Sequence, residues 1–323
     1  MNIPQRAVAV GVGAALLQAL MLIAFAWPAV HTTPRDLPVA VAGPGAAQMV
    51  ERLGQSSPGV LEPRTVGDEA AARTALTEHE VYGAILTGPQ PRVLVASGAS
   101  PLVAQQLTQL AQQLSGAPAA TAVEDVVPAD PDDPRGAGFG AMALPLVMSG
   151  IAAGVLLSLL VPTAVGRFAG VFTFAVAGGL LSMVIVQGWL SILPGEYLML
   201  AGVAGLVSLA VAGAVAGLAT AIGRAGIGIA ALTMLLVGNP FSAATSAPEL
   251  LPQPWSAIGQ ALPPGAAVSL LRSVAFFDGA GAGGPLLVLL IWAGAALALF
   301  GVGVVRERGA AEPAPERAVP QPA

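Results

Sequence analysis

The sequence predicts an α-helical integral membrane protein with six transmembrane helices and a small α+β extracytoplasmic domain between the first and second of them. Of its 323 residues, 55% are hydrophobic and only 10% are charged, whereas soluble domains contain about 25% charged residues. The apolar residues form runs close to the ~20 residues that cross a bilayer. Most of the charge lies in a single stretch, residues 31–138.

The composition also excludes several kinds of site. The chain has no cysteine and no lysine, and all 13 basic residues are arginine. Disulfides, thiol nucleophiles and zinc–thiolate sites therefore cannot form, and neither can a lysine-containing P-loop or a Schiff base. His31 and His79 are far apart in the chain. We expect no enzyme activity, metal or cofactor, and the net charge of −5 argues against a nucleic-acid partner.

Residues 1–30 are predicted to be a signal-anchor transmembrane helix, because residues 7–30 are almost uninterrupted in apolar character. The alternative is a signal peptide cleaved after Ala24-Phe25-Ala26. The apolar region of a signal peptide is about 7–15 residues long, which is shorter than this run. Gln18 is the only clearly polar side chain in its interior.

Residues 31–138 are predicted to form the α+β domain and a linker. Short apolar stretches alternate with amphipathic ones, and Gly88-Pro89-Gln90 joins two of them in a strand–turn–strand pattern. We expect strands at 37–41, 60–66, 81–87 and 91–97, helices at 45–54, 68–78 and 101–114, and a linker at 115–138 that includes one more candidate strand at 123–127.

Residues 139–308 are predicted to form a five-span membrane domain, followed by a disordered cytoplasmic tail at 309–323. The spans are expected at 140–161, 168–193, 197–222, 226–237 and 285–305. Residues 238–280 are too rich in proline for a spanning helix and too apolar for an ordinary loop. We expect a broken, re-entrant cap with short helices at 257–262 and 266–277; the alternative is a surface loop.

Seven residues are candidate structural residues of this cap, and Glu249–Arg272 or Arg272–Asp278 ion pairs could hold its pieces together. Alternatively, the three charges are simply solvated. The candidates are Asn239, Pro240, Glu249, Pro263, Pro264, Arg272 and Asp278.

Polar side chains inside the spans are few. No Asp, Glu, Arg or His lies in the middle of a span, although ion-driven transporters usually need one. Gln18 and Gln187 are the candidate intramembrane polar residues, expected mainly as hydrogen-bond partners between helices. Small-residue pairs are predicted to be packing surfaces, at Gly150/Gly154, Gly166/Gly170 and Gly213/Gly217.

Arginines predict the orientation, because cytoplasmic loops are enriched in them. If the N-terminus is cytoplasmic, Arg6, Arg167, Arg224, Arg306 and Arg308 all lie inside. We therefore expect a multi-pass protein of the plasma (inner) membrane with both termini cytoplasmic. Arg167 and Arg224 are the candidate contacts for a cytoplasmic partner.

Several short motifs resemble a known family. They are Glu80-Val81-Tyr82-Gly83-Ala84, residues 97–101, Gly238-Asn239-Pro240, Pro248-Glu249-Leu250-Leu251-Pro252, Leu262-Pro263-Pro264-Gly265 and Leu271-Arg272. With the order of spans, they resemble the type-2 ABC exporter permeases, in particular the long-ectodomain branch related to the phage infection protein. The resemblance implies an export permease subunit that works in homo- or heterodimers, in contact with membrane lipid and a separate ATP-binding subunit. The uncharged, apolar spans favour a hydrophobic or amphipathic substrate.

The sequence departs from that family at its cytoplasmic face. Only six residues precede the first apolar run, and the connection at 162–167 is short. The alternative function is therefore a non-transport, membrane-anchored surface protein, such as a receptor, an adhesion module or a secretion accessory, with a degenerate permease fold.

Overall fold

A single apolar helix begins the chain. The structure is a computed structural model that describes residues 3–56, 58–115 and 122–311. Helix α1 (Ile3–Val30) has a mean hydropathy of 2.3 in its most apolar window, and none of that window is buried in the protein. The end of α1 contacts the rest of the protein, where Pro28 is buried and the Trp27 ring meets the ring of Phe241, in the segment 238–280, edge-on.

A five-stranded mixed sheet follows, and every strand and helix predicted for this region is present with slightly different ends. The strand order is β2-β1-β3-β4-β5, and the β3–β4 pair alone is antiparallel among the described strands. The elements are β1 (Leu37–Ala42), α2 (Ala46–Ser56), β2 (Leu61–Thr65), α3 (Glu69–Thr77), β3 (Gly83–Leu86), β4 (Arg92–Val95), α4 (Pro101–Ser115) and β5 (Val123–Asp125).

Strand β1 lies inside the sheet and is buried on both faces. Such burial is typical of a parallel strand covered by crossover helices, and α2 and α3 connect β1 to β2 and β2 to β3. Asp68 begins α3 by accepting a 2.8 Å hydrogen bond from the Ala71 amide. Leu107 of α4 packs directly against Gly83 in β3, so a larger residue at this position would overlap the leucine side chain. The first half of this domain therefore alternates strand and helix, as α/β folds do.

Helix α7 is the centre of the helical bundle. The bundle contains α5 (Ala137–Leu160), α6 (Ala164–Met183), α7 (Tyr197–Ile222) and α8 (Arg224–Thr233). In α7, 67% of the most apolar window is buried, against 28% in α5 and α6. A long apolar helix at the centre of a bundle needs small residues where its neighbours approach closely.

Two of the predicted glycine pairs do face neighbouring helices. A Cβ on Gly150 would lie 2.8 Å from Val211, and one on Gly154 would lie 2.7 Å from Val215, so this pair packs α5 on α7. Gly213 likewise faces Ala296 at 2.8 Å. Gly170 also faces a neighbouring helix, since a Cβ there would overlap Leu157 of α5, whereas Gly166 faces Val161 and Thr163 in the turn between α5 and α6.

Two helices of the bundle end in a wider, π-helical turn. In α6 this turn is Val184–Trp189, and in α8 it is Met234–Gly238. The apolar helix Arg224–Gly238 is shorter than the other candidate spans. Five helices among the described residues are long and apolar enough to cross a membrane, which identifies an α-helical, multi-pass membrane protein.

The segment at 238–280 is packed into the protein. It contains a short 3₁₀ turn (Pro248–Leu250), α9 (Trp255–Gln260) and α10 (Pro263–Phe276). Most of α10 is buried, and Leu270 and Leu271 belong to the core of the bundle. The two predicted short helices are therefore present, and the burial of α10 is unlike that of a solvated loop.

The last helix runs further than predicted. Helix α11 spans Gly283–Ala311, so residues 309–311 are helical and the predicted disordered tail is wrong at its start. Arg306, Glu307 and Arg308 are good helix formers and allow the helix to continue past its apolar part. Residues 312–323 of that predicted tail, and 116–121 of the predicted linker, lie outside the described residues.

Candidate functional site

The cap at 238–280 is attached to the sheet domain by a shared hydrophobic core. Ala247, Leu250 and Phe277 of the cap are buried in the same cluster as the strands of the sheet. Backbone hydrogen bonds reinforce this contact, since the amides of Thr33 and Arg35 donate to the carbonyls of Leu250 and Glu249 at 3.0 and 2.9 Å. The sheet domain and the cap therefore form one packed unit.

A hydrogen bond between the buried Tyr82 and the half-buried Glu249 lies in this contact. The Tyr82 hydroxyl donates a 2.7 Å hydrogen bond to Oε2 of Glu249, and Tyr82 is only 7% exposed. Burial and the Glu249 carboxylate raise the pKa of Tyr82, so the hydroxyl stays protonated and remains the donor. This pair holds the 3₁₀ turn of the cap against the start of β3.

Arg272 is buried near this pair without forming either of the predicted ion pairs. Its guanidinium donates to the carbonyl of Ala244 at 3.3 Å and lies 4.8 Å from the centre of the Phe139 ring. None of the ion pairs among the described residues includes Glu249, Arg272 or Asp278. Instead, Arg272 connects α10 to Ala244 in the first part of the cap through the carbonyl contact, and to the start of α5 through the Phe139 ring.

His79 is a second titratable group affected by this contact. Its ring stacks on Phe277 at 4.1 Å with an interplanar angle of 10°. Burial, and to a smaller extent the positive charge of Arg272, lower the pKa of His79 to about 4. The imidazole is therefore neutral at physiological pH, and protonation would place a second positive charge beside Arg272.

Replacement of Tyr82 by phenylalanine is expected to destabilise the protein by about 2 kcal/mol, because the half-buried Glu249 carboxylate loses the hydrogen bond that the Tyr82 hydroxyl donates. Thermal unfolding of the detergent-solubilised protein measures the loss. The matched control is Arg64→Gln, which removes an exposed ion pair with Glu62 whose side chains are 56% and 50% exposed and should cost under about 1 kcal/mol. Equal effects of the two substitutions would contradict a structural role for the Tyr82–Glu249 bond.

A cavity of about 450 Å³ lies between the end of α1, the start of α5 and the first part of the cap. The predicted cap residues Asn239 and Pro240 both line it. The Oδ1 atom of Asn239 is buried and accepts no hydrogen bond from the described residues. A buried acceptor without a partner is uncommon in folded proteins.

The remaining predicted cap residues are structural. Pro263 and Pro264 form the buried first turn of α10, where proline fits because no backbone donor is needed. Pro264 also packs against Gly238, where a Cβ would lie 2.7 Å away. Asp278 has a φ of +50° and reverses the chain after α10.

The two intramembrane glutamines do not join helices as expected. Gln187 donates to the carbonyls of Leu193 and Gly195 at 3.1 and 2.9 Å, so it closes the loop that follows its own helix. Gln18 is exposed on α1, and within the described part of the chain no hydrogen bond reaches it. The prediction of interhelical bonding is wrong because neither side chain faces a polar group of a neighbouring helix.

The predicted cytoplasmic contacts, Arg167 and Arg224, differ in their surroundings. Arg167 donates to the carbonyls of Val161 and Ser158 at 2.8 and 3.1 Å and to the Thr220 hydroxyl at 3.2 Å. It therefore closes the α5–α6 turn. Arg224 is exposed at the α7–α8 turn. Of the two, Arg224 has the side chain available to a partner.

Sequence reasoning missed the Tyr82–Glu249 bond, because 167 residues separate the two side chains. It also missed Arg35, whose guanidinium donates to Leu250 O at 2.9 Å.

Within the described ranges, no group of three or more His, Asp or Glu side chains could hold a metal ion. No family model, curated protein or solved structure matches the chain. The functional argument therefore depends on the geometry.

Proposed function

We propose that the chain is the permease subunit of an ABC-type exporter, which moves a hydrophobic or amphipathic substrate outward with a separate ATP-binding subunit. The observation that supports this most is the arrangement of the last helices. Helix α8 ends in a π turn just before Asn239-Pro240, and the chain continues through α9 to α10, which packs into the core of the bundle before α11. This broken element before the final span is the feature for which the sequence resembles the type-2 exporter permeases.

In this proposal α8 is a sixth, incomplete span. Residues 224–238 cover about 22 Å at 1.5 Å per residue, less than the ~30 Å hydrocarbon core. Its end is covered by protein, because α10 is largely buried. Non-helical backbone is tolerated at membrane depth only under such protection. The packing of the cap therefore supports a broken span at this place.

The proposed orientation has both termini cytoplasmic and the sheet domain outside the plasma (inner) membrane. Arg167 and Arg306 contact the ends of neighbouring helices at one end of the bundle, through Thr220 and the Ala221 carbonyl. The sheet domain contacts the cap, which follows the other end of α8. Arginines at one end of a membrane bundle favour the cytoplasmic side.

The cap would transmit movement between the two parts of such a permease. Phe276 at the end of α10 packs against the core of the sheet domain and against the core of the bundle. Because packed interfaces shift between discrete arrangements rather than deform gradually, a change in the bundle would alter the position of the sheet domain. This connection suits a subunit that opens and closes an outer exit.

The experiment that tests the proposal is a mild-detergent purification of the tagged protein, followed by mass spectrometry of what is recovered with it. We expect a stoichiometric ATP-binding subunit. Arg224→Glu should lower its recovery about fivefold, equivalent to ~1 kcal/mol, because it reverses an exposed charge at the proposed contact.

The matched control is Arg64→Glu, which reverses an exposed charge on the sheet domain and should leave recovery unchanged. If no ATP-binding subunit is recovered with the unmodified protein, the permease proposal fails. Recovery of an outer-surface partner instead would support the non-transport surface module.

A further inference from the structure

We propose that a crevice in the sheet domain, at the carboxyl ends of β1 and β3, binds a free α-amino acid. The site is inferred from the topology of the sheet and from the charges in the crevice. It does not depend on the proposed permease function.

The connections of the sheet change direction between β1 and β3. From β1 the chain passes through α2 to β2 on one side, and then through α3 to β3 on the other side of β1. Crossovers between parallel strands are right-handed, so α2 and α3 cover opposite faces of the sheet. A crevice is left between them at the carboxyl ends of β1 and β3, which is where open α/β sheets bind their ligands.

A cavity of about 440 Å³ lies at this position. It is lined by Ala42 and Gly43 at the end of β1 and by Leu86, Thr87 and Gly88 at the end of β3. Its volume is within the ~300–1,000 Å³ of small-molecule pockets. The strand order and the cavity are separate observations, and they indicate the same place.

The ends of the two strands are fixed to each other at this cavity. The amide and the hydroxyl of Thr87 both donate to the Ala42 carbonyl, at 2.8 and 2.9 Å. Gly43 has a φ of +101°, and a Cβ at this position would overlap the carbonyl oxygen of Thr87. Glycine therefore allows the close approach of the strand ends, and the crevice is formed without a ligand.

Glu69 and Arg92 bring opposite charges to the cavity. Arg92 lies opposite Leu86 because β4 is antiparallel to β3, and Glu69 is the first residue of α3. Nη2 of Arg92 lies 2.8 Å from Oε2 of Glu69, and both side chains are 41% exposed, so a ligand can reach them. Among the described residues that line the cavity, no other is charged. The lining therefore combines two adjacent, accessible charges of opposite sign.

Both charged groups keep hydrogen-bonding capacity for a ligand. Of the five N–H groups of the Arg92 guanidinium, one donates to Glu69 and another faces Glu124 at 3.5 Å. Oε2 of Glu69 accepts from Arg92 alone within the described part of the chain, so it retains a lone pair. The Thr87 hydroxyl oxygen also keeps its lone pairs. The cavity therefore offers guanidinium donors beside carboxylate and hydroxyl acceptors.

These charges select a ligand that itself carries both signs. A simple anion is attracted by Arg92 but repelled by Glu69, and the reverse holds for a simple cation. An α-amino acid has its ammonium and carboxylate groups on one carbon atom, so the two can meet Glu69 and Arg92 together. In a longer peptide the terminal charges are further apart. A neutral sugar lacks charges, and hydrogen bonds that involve charged groups are about twice as strong as neutral ones.

The cavity faces away from the membrane bundle. The cap contacts the opposite end of the sheet, where Thr33 and Arg35 precede β1 and Tyr82 precedes β3. The six residues of β1 separate these two ends by about 20 Å. A water-soluble ligand therefore reaches the cavity from solvent and does not have to pass through lipid.

The test is equilibrium dialysis of the full-length, detergent-solubilised protein against an equimolar mixture of the common L-amino acids, with mass spectrometry of what is retained. We expect one amino acid, or a few related ones, to bind with a Kd below about 1 mM. Matched probes lack either the amino or the carboxyl group of the retained amino acid; for leucine they are isocaproate and isoamylamine. Each probe, and glucose, should bind at least about tenfold more weakly.

Two substitutions and one matched control complete the test. Arg92→Gln removes the positive charge of the cavity, and Gln90→Trp fills the cavity from an exposed lining position. Each should weaken amino-acid binding at least about tenfold. Arg73→Gln is the control, because Arg73 pairs with Glu69 and Glu124 but does not line the cavity. Its binding should change by less than about threefold.

Three outcomes would overturn the proposal: no amino acid is retained; glucose or a probe with a single charge binds equally well; or Arg73→Gln and Arg92→Gln weaken binding equally. Should Arg92→Gln fail to fold, Gln90→Trp and the matched probes still decide. Recovery of an ATP-binding subunit without amino-acid binding rejects the site alone. Amino-acid binding without that subunit leaves the site and rejects the permease.

Discussion

Replacement of Gly179 by alanine is expected to destabilise the bundle by about 3 kcal/mol, near the upper end of overpacking effects. A Cβ at this position would overlap the Ala201 carbonyl oxygen and lie 2.7 Å from the Gly205 amide nitrogen. These are backbone atoms of α7, which cannot move aside by a change of rotamer. Helices α6 and α7 would have to separate, and α7 is the most buried helix of the bundle.

The control for this prediction is the neighbouring residue. A Cβ on Gly178 would lie 3.5 Å from the Phe174 ring, which is an ordinary van der Waals contact. Gly178→Ala should therefore be neutral or stabilise the protein by up to ~1 kcal/mol, since alanine favours a helix more than glycine does. Thermal unfolding in one detergent compares the two variants. Similar melting temperatures would mean that α6 and α7 do not approach closely at Gly179.

The stability of the protein is expected to fall as the pH decreases from about 6.5 towards 4, because of His79. Its pKa is lowered to about 4 in the folded protein, whereas an unfolded histidine has a pKa near 6.5. Between these values the unfolded chain binds a proton that the folded protein does not. The contribution of the neutral His79 to the free energy of unfolding is fully present above pH ~6.5, and up to roughly 3 kcal/mol of it is lost by pH ~4.

The measurement is thermal unfolding across this pH range for the unmodified protein and for His79→Asn. Asparagine suits the left-handed backbone of residue 79, where φ is +58°. The variant should lose this part of the pH dependence, even if it is less stable at every pH because the stack on Phe277 is gone. His31→Asn alters an exposed histidine and should keep the dependence. An identical profile for His79→Asn and the unmodified protein would contradict the buried, neutral state of His79.

Local patterns predicted most of the secondary structure. Apolar runs located the long helices, and alternation with turn residues located β3 and β4 within a few residues. The proline content of residues 238–280 indicated short helices rather than one span, and α9 and α10 are indeed short. Each of these features is determined by residues within a single helix, strand or turn, so it can be predicted from the local sequence.

Contacts between distant residues could not be predicted in the same way. From the sequence, Arg272 could pair with Glu249 or with Asp278, or all three charges could be solvated, because they lie in one segment. In the folded protein Glu249 accepts a bond from Tyr82, and Arg272 contacts Ala244 and Phe139. A charged residue in the sequence is expected to have a partner, but the sequence does not show which group the fold places beside it. The unpartnered oxygen of Asn239 is likewise visible only once three distant parts of the chain surround it.

The shared core of the sheet domain and the cap has a consequence for biosynthesis. The hydrogen bond between Tyr82 and Glu249 cannot form until Glu249 is synthesised, 167 residues after Tyr82. At 5–20 residues per second, translation of that interval takes on the order of ten seconds or more. During this time the surface that later receives Leu250 and Phe277 is uncovered on the nascent chain. A ribosome that stalls before residue 250 would therefore leave this apolar surface exposed, which makes the incomplete chain prone to aggregation.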